Sequence, residues 1–298
     1  MKLEKLKEKI LDSIWRVLMH ILSDKFYLEL RYFVVFKSRL NLRTPVTFSE
    51  KLQWLKLYGC RPEYTDMADK VEMKNYVSSK LGNEYVIPTL GVWNSPEEID
   101  FGSLPESFVL KCNHDSGNVI ICHDKKTMNF EAVRKQLADM LRHDYYLQGR
   151  ETPYKKIRRR ILAEPLLQAD GREDLVDYKV HNFNGEPKVI LVCANRFSTA
   201  GLTEDFFSRE WKHLDLKRPL HPNAETEEPR PQQIDEILRI SRKLSEGIPF
   251  LRTDFYIIGN NIYIGELTFF PSSGLVPFVP GKWDRVFGDW LKLPEKNA

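Results

Sequence analysis

Two acidic side chains, Asp254 and Glu266, stand near the ends of a segment with the pattern of a β-hairpin, RTDFYIIGNNIYIGELT over residues 252–268. β-Branched and aromatic runs on both sides of a Gly-Asn-Asn turn are a strong local signal for two paired strands. A turn centred on Asn260 places Asp254 directly opposite Glu266. Directly opposed residues have Cβ atoms about 4.5–5.5 Å apart, and like charges there destabilise a sheet. A bound Mg²⁺ would remove that repulsion, because Mg²⁺ prefers carboxylate oxygens together with substrate phosphates.

The register of this hairpin has two solutions. With the turn centred on Asn260, Arg252 also faces Thr268. A two-residue turn would instead shift the register by one position and place Asp254 and Glu266 on opposite faces of the sheet. Both acids would then be ordinary surface residues, and the pattern alone leaves both solutions open.

The composition is that of a globular protein with a substantial core. The chain has 298 residues, of which 42% are hydrophobic and 29% are charged, which suits one large or two modest domains. The net charge of +3 is too small to indicate nucleic-acid binding. We therefore expect no nucleic-acid partner.

The cysteines and the apolar segments indicate the compartment. The four cysteines have no CxxC spacing, so neither a zinc site nor a disulfide framework is predicted. A reducing compartment suits unpaired thiols. No apolar run approaches the roughly 18 residues of a membrane span, and charged residues interrupt the N-terminus where a signal peptide would be apolar. We expect a cytoplasmic protein.

The N-terminal segment, residues 1–43, has the spacing of an amphipathic helix and is strongly basic. It contains ten Lys/Arg and five Asp/Glu, so its net charge exceeds that of the whole chain. A basic amphipathic helix can lie on an anionic membrane surface. The alternative is a helix that packs on the main domain. The apolar stripe consists of Leu3, Leu6, Ile10, Ile14, Leu18 and Leu22, widened by Leu11 and Trp15.

Other elements are predicted around the hairpin. Thr47 and Glu50 have the spacing of a capping box at the start of a helix. Residues 108–122 predict a strand, a polar turn containing glycine, and a second strand. The dipeptide Asn184-Gly185 predicts the turn of a second hairpin.

Two further segments are notable for composition. Residues 201–232 form a long connection rich in proline and charge, and a connection of that length is usually functional or mobile. The basic run over residues 155–160 is expected to be a solvated face.

Several standard catalytic motifs are absent from the sequence. It contains no GxxxxGK[ST] loop, no GxGxxG after a strand, no HExxH and no GxSxG. The DxD motif of many sugar-nucleotide glycosyltransferases is also missing, and the seven histidines form no pair at metal-ligand spacing. These absences exclude the common active sites of phosphate-loop enzymes, zinc hydrolases and serine hydrolases.

The order of the parts is more specific than any single part. It resembles the ATP-grasp superfamily, and within it the TupA-like proteins of bacterial polysaccharide gene clusters. The resemblance runs from about Thr47 to about Gly288. It is carried by LPESFVLKCNH, by the NRF triplet and by RTDFYIIGNNIYIGELTFFPSSG.

The resemblance implies an α+β fold, the ATP-grasp fold, in which two α+β subdomains clasp ATP behind an N-terminal helical extension. It divides the chain into an N-terminal amphipathic helical segment (residues 1–45), an N-terminal region with the first subdomain (46–165), and a second subdomain with the metal site (166–298).

The resemblance also implies roles for individual residues. ATP would be bound by Lys111, Ser116, Gly117, Glu164, Leu166 and Lys179. Charge on the transferred phosphoryl group would be neutralised by the catalytic residues Lys111, Lys179 and Arg196. Mg²⁺ would be held by Asp254, Glu266 and Thr268. The substrate would be approached by Ser272, Ser273 and Gly274.

The function implied is an ATP-dependent carboxylate–amine ligase that uses an acyl phosphate, in bacterial surface-polysaccharide biosynthesis or modification. Its partners would be a small-molecule or glycan carboxylate and an amine acceptor. Residues 1–43 could attach it peripherally to the inner face of the membrane. A glycosyltransferase of polysaccharide assembly is one alternative. A non-catalytic relative is another, because Asp115 and Thr268 stand where many relatives have glycine and asparagine.

Overall fold

The computed structural model describes residues 13–168, 174–196 and 201–296. Residues 13–21 are helical, and no helix within these ranges is long and apolar enough to cross a membrane. The further α-helices are α1 (Asp24–Phe36), α2 (Phe48–Tyr58), α3 (Tyr64–Ala68), α4 (Glu72–Leu81), α5 (Phe130–Arg142), α6 (Tyr145–Gly149), α7 (Ile234–Ser245) and α8 (Lys282–Trp290). The β-strands are β1 (Gly91–Trp93), β2 (Phe108–Cys112), β3 (Val119–Cys122), β4 (Ile161–Pro165), β5 (Asp177–Phe183), β6 (Glu186–Ala194), β7 (Thr203–Ser208), β8 (Phe250–Ile258) and β9 (Asn261–Thr268).

The strands form two antiparallel sheets. The first sheet has the order β1-β4-β2-β3, and the second sheet has the order β7-β6-β5-β8-β9. Helices and antiparallel sheets in one chain make this an α+β fold, as predicted. The predicted hairpin turn at Asn184-Gly185 is confirmed, and both residues have the positive φ (50° and 84°) that a tight hairpin turn requires.

Each sheet has its own core. The first sheet packs against α5 through buried residues such as Leu110 and Leu137. The second sheet packs one face against α7, which buries Ile237 and Ile240. Residues of α2, including Leu52, belong to the core of the second sheet. The region before β1 therefore packs with the second sheet, although it precedes the first sheet in the chain.

The N-terminal segment is only partly as predicted. Helix 13–21 ends at a bend and α1 follows. The C-cap of α1 is Lys37, which has a left-handed φ of 54°. Residues 37–45 are not helical, so the helix predicted through residue 43 is too long. Leu3, Leu6, Ile10 and Leu11 lie outside the described residues. Tyr27, Leu28 and Tyr32 of α1 are buried, so α1 packs on the main domain.

The start of α2 confirms the predicted capping box. The Thr47 hydroxyl accepts from the Glu50 amide, and the Glu50 carboxylate accepts from the Thr47 amide at 3.0 Å. Two of the amides that a helix start leaves without intrahelical partners are thereby satisfied. The cap fixes the start of a helix whose later residues reach the candidate active site.

The hairpin of β8 and β9 combines both predicted registers. Its turn is the two-residue Gly259-Asn260, so Ile258 faces Asn261. A β-bulge at Gly265 then shifts the pairing by one, and Asp254 faces Glu266. The predicted opposition of the two acids is confirmed, but the bulge produces it and the turn does not.

The connection over residues 201–232 is held in place along much of its length. β7 occupies its beginning, a strand that the sequence pattern did not indicate. Buried Asp205 accepts hydrogen bonds from His213 Nε2, Asn223 Nδ2 and the Ala224 amide. The ring of Trp211 stacks on the ring of Phe207 in β7. The segment is therefore tied to the edge of the second sheet.

Candidate active site

A cavity of about 800 Å³ opens between the two sheets. Its walls come from β2, β3 and β4 of the first sheet and from β5, β6, β8 and β9 of the second. Nine of the predicted site residues line it: Lys111, Ser116, Gly117, Glu164, Leu166, Lys179, Arg196, Asp254 and Glu266. The other four, Thr268, Ser272, Ser273 and Gly274, do not line it.

A row of directly opposed residues crosses the second sheet at the cavity wall. Lys179 on β5 faces Asp254 on β8, and Asp254 faces Glu266 on β9. Opposed residues project from the same face of a sheet. Strand register alone therefore brings one cation and two carboxylates together. Beyond Lys179 the row continues through the buried apolar Leu191 and Phe206.

Asp254 is buried and binds two cations. Lys179 Nζ lies 2.6 Å from Asp254 Oδ2, and Arg252 donates to both carboxylate oxygens at 2.7 Å. Burial alone would raise the pKa of Asp254, but Arg252 and Lys179 outweigh it and hold this pKa at about 2. Burial also opposes the charge of Lys179, yet Asp254 and Asp177 raise the pKa of its ammonium. The three charges are thus ionised together at neutral pH.

Arg252 was not predicted as a site residue. Its side chain lines the cavity and donates to Thr268 Oγ1 at 3.0 Å. Arg252 lies two positions before Asp254, and residues two apart on a strand share a face. The Arg-x-Asp spacing was therefore an available signal. Thr268 was predicted as a metal ligand, but its hydroxyl is covered by Arg252, which would have to move for Thr268 to take that role.

The first sheet contributes a second charged group. Lys111 Nζ lies 2.5 Å from Glu164 Oε2, and Lys74 Nζ lies 2.6 Å from Glu164 Oε1. Burial would raise the pKa of Glu164, but the two lysines outweigh burial and lower it. Lys74, on α4, was not predicted. Both oxygens of Glu164 are occupied, so ATP, which Glu164 was predicted to bind, would have to share them with the lysines.

The turn between β2 and β3 contains Ser116 and Gly117, two of the residues predicted to bind ATP. Asp115 is buried, and its carboxylate accepts from the Ser116 amide at 2.8 Å and from Asn118 Nδ2 at 2.5 Å. Its carboxyl group is therefore hydrogen-bonded within the turn, and His143 Nδ1 lies 3.3 Å away. Gly117 has a φ of +85° with open space around it, so the backbone conformation explains the glycine there.

Arg196 lies beside the end of β6. Its Nη2 is 2.8 Å from Asp177 Oδ2, and Lys179 Nζ is 3.5 Å from the same oxygen. Burial opposes the charge of Arg196, but Asp177 outweighs burial and raises the pKa of its guanidinium. The two cations predicted on the second subdomain thus share one acid.

The loop Pro271–Gly274, here called the serine loop, has an unusual backbone. Ser272, Ser273 and Gly274 have φ values of 49°, 56° and 60°. Left-handed conformations of non-glycine residues cost about 1–3 kcal/mol each and persist only where surrounding contacts hold them. Two consecutive serines in this region indicate that the rest of the structure holds the loop.

Buried polar side chains hold the inner side of the serine loop. The Ser273 carbonyl accepts from Lys56 Nζ at 2.8 Å and from Gln53 Nε2 at 3.0 Å. The Ser273 hydroxyl donates to Glu151 Oε1 at 2.5 Å. Gly149 leaves room for that hydroxyl, since a Cβ there would lie 2.2 Å from Ser273 Oγ. None of these supporting residues was predicted, because they lie more than 100 positions from the loop.

The buried ammonium and carboxylate in this cluster have strongly displaced pKa values. Burial lowers the pKa of Lys56 to about 8, although Glu151 opposes the shift. Burial raises the pKa of Glu151 to about 6, although Lys56 and the Ser273 hydroxyl oppose the shift. Protonation of this cluster can therefore change within the range of ordinary biochemical buffers.

Two arginines separate the serine loop from the large cavity. Ser272 and Gly274 line a smaller cavity of about 20 Å³. Arg218 and Arg252 line both cavities. Arg218 Nη1 donates to Ser272 Oγ at 2.7 Å, and its Nε and Nη2 bind the buried carboxylate of Glu204. The guanidinium groups of Arg218 and Arg252 thus lie between the predicted substrate loop and the main cavity.

Two of the predicted metal ligands suit Mg²⁺. The carboxylates of Asp254 and Glu266 are hard oxygen ligands on one wall of the cavity. Glu266 is the more available of the two, because its ion pair with Lys70 is long, at 3.8 Å. Within the described ranges no group of three His, Cys, Asp or Glu is arranged to hold a metal ion. A cation here would therefore take its other oxygens from substrate or water.

Several solved structures are similar to parts of this chain, at low sequence identity and with TM-scores below 0.5. D-alanine–D-alanine ligase from Bacillus anthracis complexed with ATP is 14% identical, with a TM-score of 0.38, over 68% of this chain and 53% of that one. The ATP-grasp ligase PsnB complexed with minimal precursor, Mg and ADP is 14% identical, with a TM-score of 0.39, over 74% and 57%. A RimK domain ATP-grasp protein from Sphaerobacter thermophilus DSM 20745 is 14% identical, with a TM-score of 0.40, over 84% and 72%. The chain thus spans little more than half of the first two proteins. No curated protein matches it.

A protein family matches most of the chain. The match is to the TupA-like ATPgrasp family and covers residues 50–292. That range includes both sheets and every residue described above as lining the cavity. The chain therefore belongs to the TupA-like ATPgrasp family.

Proposed function

We propose that the protein is an ATP-dependent carboxylate–amine ligase that works through an acyl phosphate. The observation that carries this proposal is the row Lys179, Asp254 and Glu266 facing the cavity, with Lys111 on the opposing sheet. Cations on two walls and a pair of carboxylates suit a magnesium-bound triphosphate.

Binding of ATP would exchange ion pairs inside the cavity. Lys111 would leave Glu164 for a phosphate oxygen, and Lys74 would stay to neutralise that acid. Lys179 would likewise leave Asp254 for a phosphate oxygen, and Arg252 would stay beside that acid. Mg²⁺ held by Asp254 and Glu266 would neutralise negative charge on the phosphates. Each exchange leaves a buried acid with one cation, so no buried charge is stranded.

The reaction that we propose has two steps. The substrate carboxylate attacks the γ-phosphorus of ATP, the bond to the bridging oxygen breaks, and ADP leaves. An amine then attacks the carbonyl carbon of the acyl phosphate, loses a proton, and expels inorganic phosphate to leave an amide. Lys111, Lys179 and Arg196 would neutralise charge on the phosphoryl oxygens during transfer. No covalent enzyme nucleophile is needed.

The family resemblance also supports the biological setting that we propose. The carboxylate and the amine would belong to bacterial surface-polysaccharide synthesis or modification, and the substrates would be small molecules or glycans. The protein would act in the cytoplasm and attach peripherally to the inner face of the membrane through residues 1–43. We also propose that residues 46–165 and 166–298 form the two subdomains, because each range contains one of the two sheets.

The first test is ligand-dependent thermal stability. A ligand that binds only the folded state adds about 2.7 kcal/mol at 100 times its Kd. We expect Mg·ATP to stabilise the protein and Glu266→Gln to abolish the magnesium-dependent part. Asp289→Asn, an exposed acid on α8, is the matched control and should behave as wild type. Glu266→Gln is preferred to a change at Asp254, which would leave Arg252 and Lys179 unpaired.

The second test detects the acyl phosphate. Mg·ATP and hydroxylamine are supplied with a panel of uronic acids and amino acids, and a substrate acid should yield a hydroxamate with equimolar ADP. Stabilisation by a nucleotide sugar and not by ATP would contradict the ligase proposal and favour the glycosyltransferase alternative. ATP binding without ADP formation across the panel would favour a non-catalytic relative.

A further inference from the structure

The N-terminal helices expose an unusual amount of apolar side chain. Eleven large hydrophobic residues are exposed in the described part of the chain, and six of them lie between residues 14 and 34. Ile14, Val17 and Ile21 are 47%, 60% and 68% exposed. Their spacing of three and four places them on one side of helix 13–21. This stripe differs from the predicted one, whose members Leu18 and Leu22 are half-buried.

Helix α1, which follows after a bend of two residues, also exposes apolar side chains. Phe26 and Phe33 lie two turns apart and are 55% and 52% exposed, and Val34 is exposed beside Phe33. We call these six residues the apolar surface: Ile14, Val17, Ile21, Phe26, Phe33 and Val34.

Buried side chains and hydrogen bonds hold the two N-terminal helices on the domain. The opposite side of α1 is buried, and the Tyr27 hydroxyl donates to the Gln148 carbonyl at 3.0 Å. Buried Arg150 donates to the Met19 carbonyl at 2.6 Å, and its Nε lies 3.2 Å from Asp24 Oδ1. The segment is therefore folded against the domain while it exposes its outer side.

The charges around the apolar surface are mostly positive. Residues 13–45 contain six Lys/Arg and two Asp/Glu. Both acids have cationic partners, since Asp24 pairs with Arg150 and Glu29 pairs with Lys25 at 3.9 Å. Exposed basic residues flank the apolar ones: Arg16, Lys25, Lys37, Arg39 and Arg43. The chain beyond residue 43 contains 35 Lys/Arg and 37 Asp/Glu, so the positive charge is local.

We infer that the apolar surface docks on an anionic phospholipid bilayer. Its aliphatic and phenyl side chains would enter the interface between headgroups and acyl chains, and the flanking cations would bind lipid phosphates. A protein partner would not require this predominantly positive border. The inference deepens the peripheral attachment proposed above by naming its surface and its lipid, and it does not depend on the ligase reaction.

The test uses the full chain and vesicle flotation. Vesicles of phosphatidylcholine alone are compared with vesicles containing about 30% phosphatidylglycerol, at low and high salt. We expect partitioning into the anionic vesicles to fall about tenfold in Ile14→Ser/Val17→Ser/Ile21→Ser, and to fall in Phe26→Ser/Phe33→Ser tested separately. Arg39→Gln/Arg43→Gln should weaken binding chiefly at low salt. Leu220→Ser/Val279→Ser removes two other exposed apolar residues and should bind as wild type.

Two readouts keep the result interpretable. Each variant is first checked for an unchanged melting temperature, and its stabilisation by Mg·ATP is recorded, so that failure of lipid binding and failure of the ligase proposal are separate. Equal partitioning of wild type and both serine variants would overturn the inference. The inference would also be overturned if the wild type does not float with either kind of vesicle and forms a dimer in solution that dissociates in the triple variant. The apolar surface would then contact a second copy of the chain.

Discussion

At the scale of single residues, charged side chains that line the cavity are held in ion pairs with one another and with more distant residues. Lys111, Lys179, Asp254 and Glu266, all four predicted from sequence, line one cavity. Sequence spacing does not reveal that Glu164 binds two lysines, because one of them comes from a helix that precedes the strand by about 90 positions. Pairings of this kind depend on how distant elements pack.

Lys111→Ala should weaken binding of Mg·ATP. A charged hydrogen bond contributes about 1.5–3 kcal/mol, so the Kd should rise about tenfold to a hundredfold. Calorimetric titration measures the change. Lys135→Ala, on the exposed side of α5, is the matched control and should leave the Kd unchanged. An unaltered Kd in Lys111→Ala would remove Lys111 from the phosphate site.

Glu151 should make stability depend on pH in a defined window. Its pKa is raised from 4.5 to about 6 in the folded protein, so the folded state holds the proton more tightly than the unfolded state does. The free energy of unfolding should therefore fall by about 2 kcal/mol as pH rises from 4.5 to beyond 6. Lys56, with a pKa of about 8, stays protonated throughout that window.

Urea unfolding at several pH values tests this expectation. Glu151→Gln keeps an acceptor for the Ser273 hydroxyl and cannot titrate, so its stability should be nearly flat where wild type declines. If the variant declines with the same slope as wild type, another group is responsible for the pH dependence.

At the scale of elements, the hairpin shows where pattern and structure separate. The two strands and the facing acids were predicted, but the bulge at Gly265 was not. A bulge leaves little trace in a sequence beyond a glycine within a strand. The structure explains that glycine, since a Cβ at Gly265 would lie 2.6 Å from the ring of Tyr256. The strand β7 was missed because proline and charge dominate the segment that follows it.

Gly265→Ala should destabilise the protein by about 1–3 kcal/mol, because the added methyl group overpacks against Tyr256. In a Tyr256→Leu background the penalty should shrink, and a double-mutant cycle by urea unfolding measures that coupling. Gly281→Ala is the control, since a Cβ there meets nothing within 4 Å. Equal penalties in both backgrounds would show that the ring is not the cause.

At the scale of the whole molecule, the α+β fold and the family were predictable, whereas the packing of the N-terminal half was not. Helical periodicity indicates a segment with one apolar side, but it does not show which surface that side covers. The structure assigns α1 to the folded domain and leaves its outer side exposed. Deleting residues 1–43 would therefore remove buried residues of α1 from the core.

Two substitutions on α1 test whether it is an integral part of the fold. Leu28 is fully buried and Phe26 is 55% exposed. Leu28→Ala should lower the free energy of unfolding by about 2–5 kcal/mol, whereas Phe26→Ala should change it by less than about 0.5 kcal/mol. A small effect of Leu28→Ala in urea unfolding would mean that α1 is not packed in solution.

The anchors of the N-terminal helices and of the serine loop are consecutive residues. Arg150 donates to the Met19 and Leu22 carbonyls, and Glu151 accepts from Ser273. One planar peptide unit joins them, so the contacts that hold the N-terminal helices and the contact that holds the serine loop lie on adjacent residues. Thermodynamic linkage then requires reciprocity: if a lipid surface changes the affinity for substrate by some factor, substrate changes the affinity for lipid by the same factor.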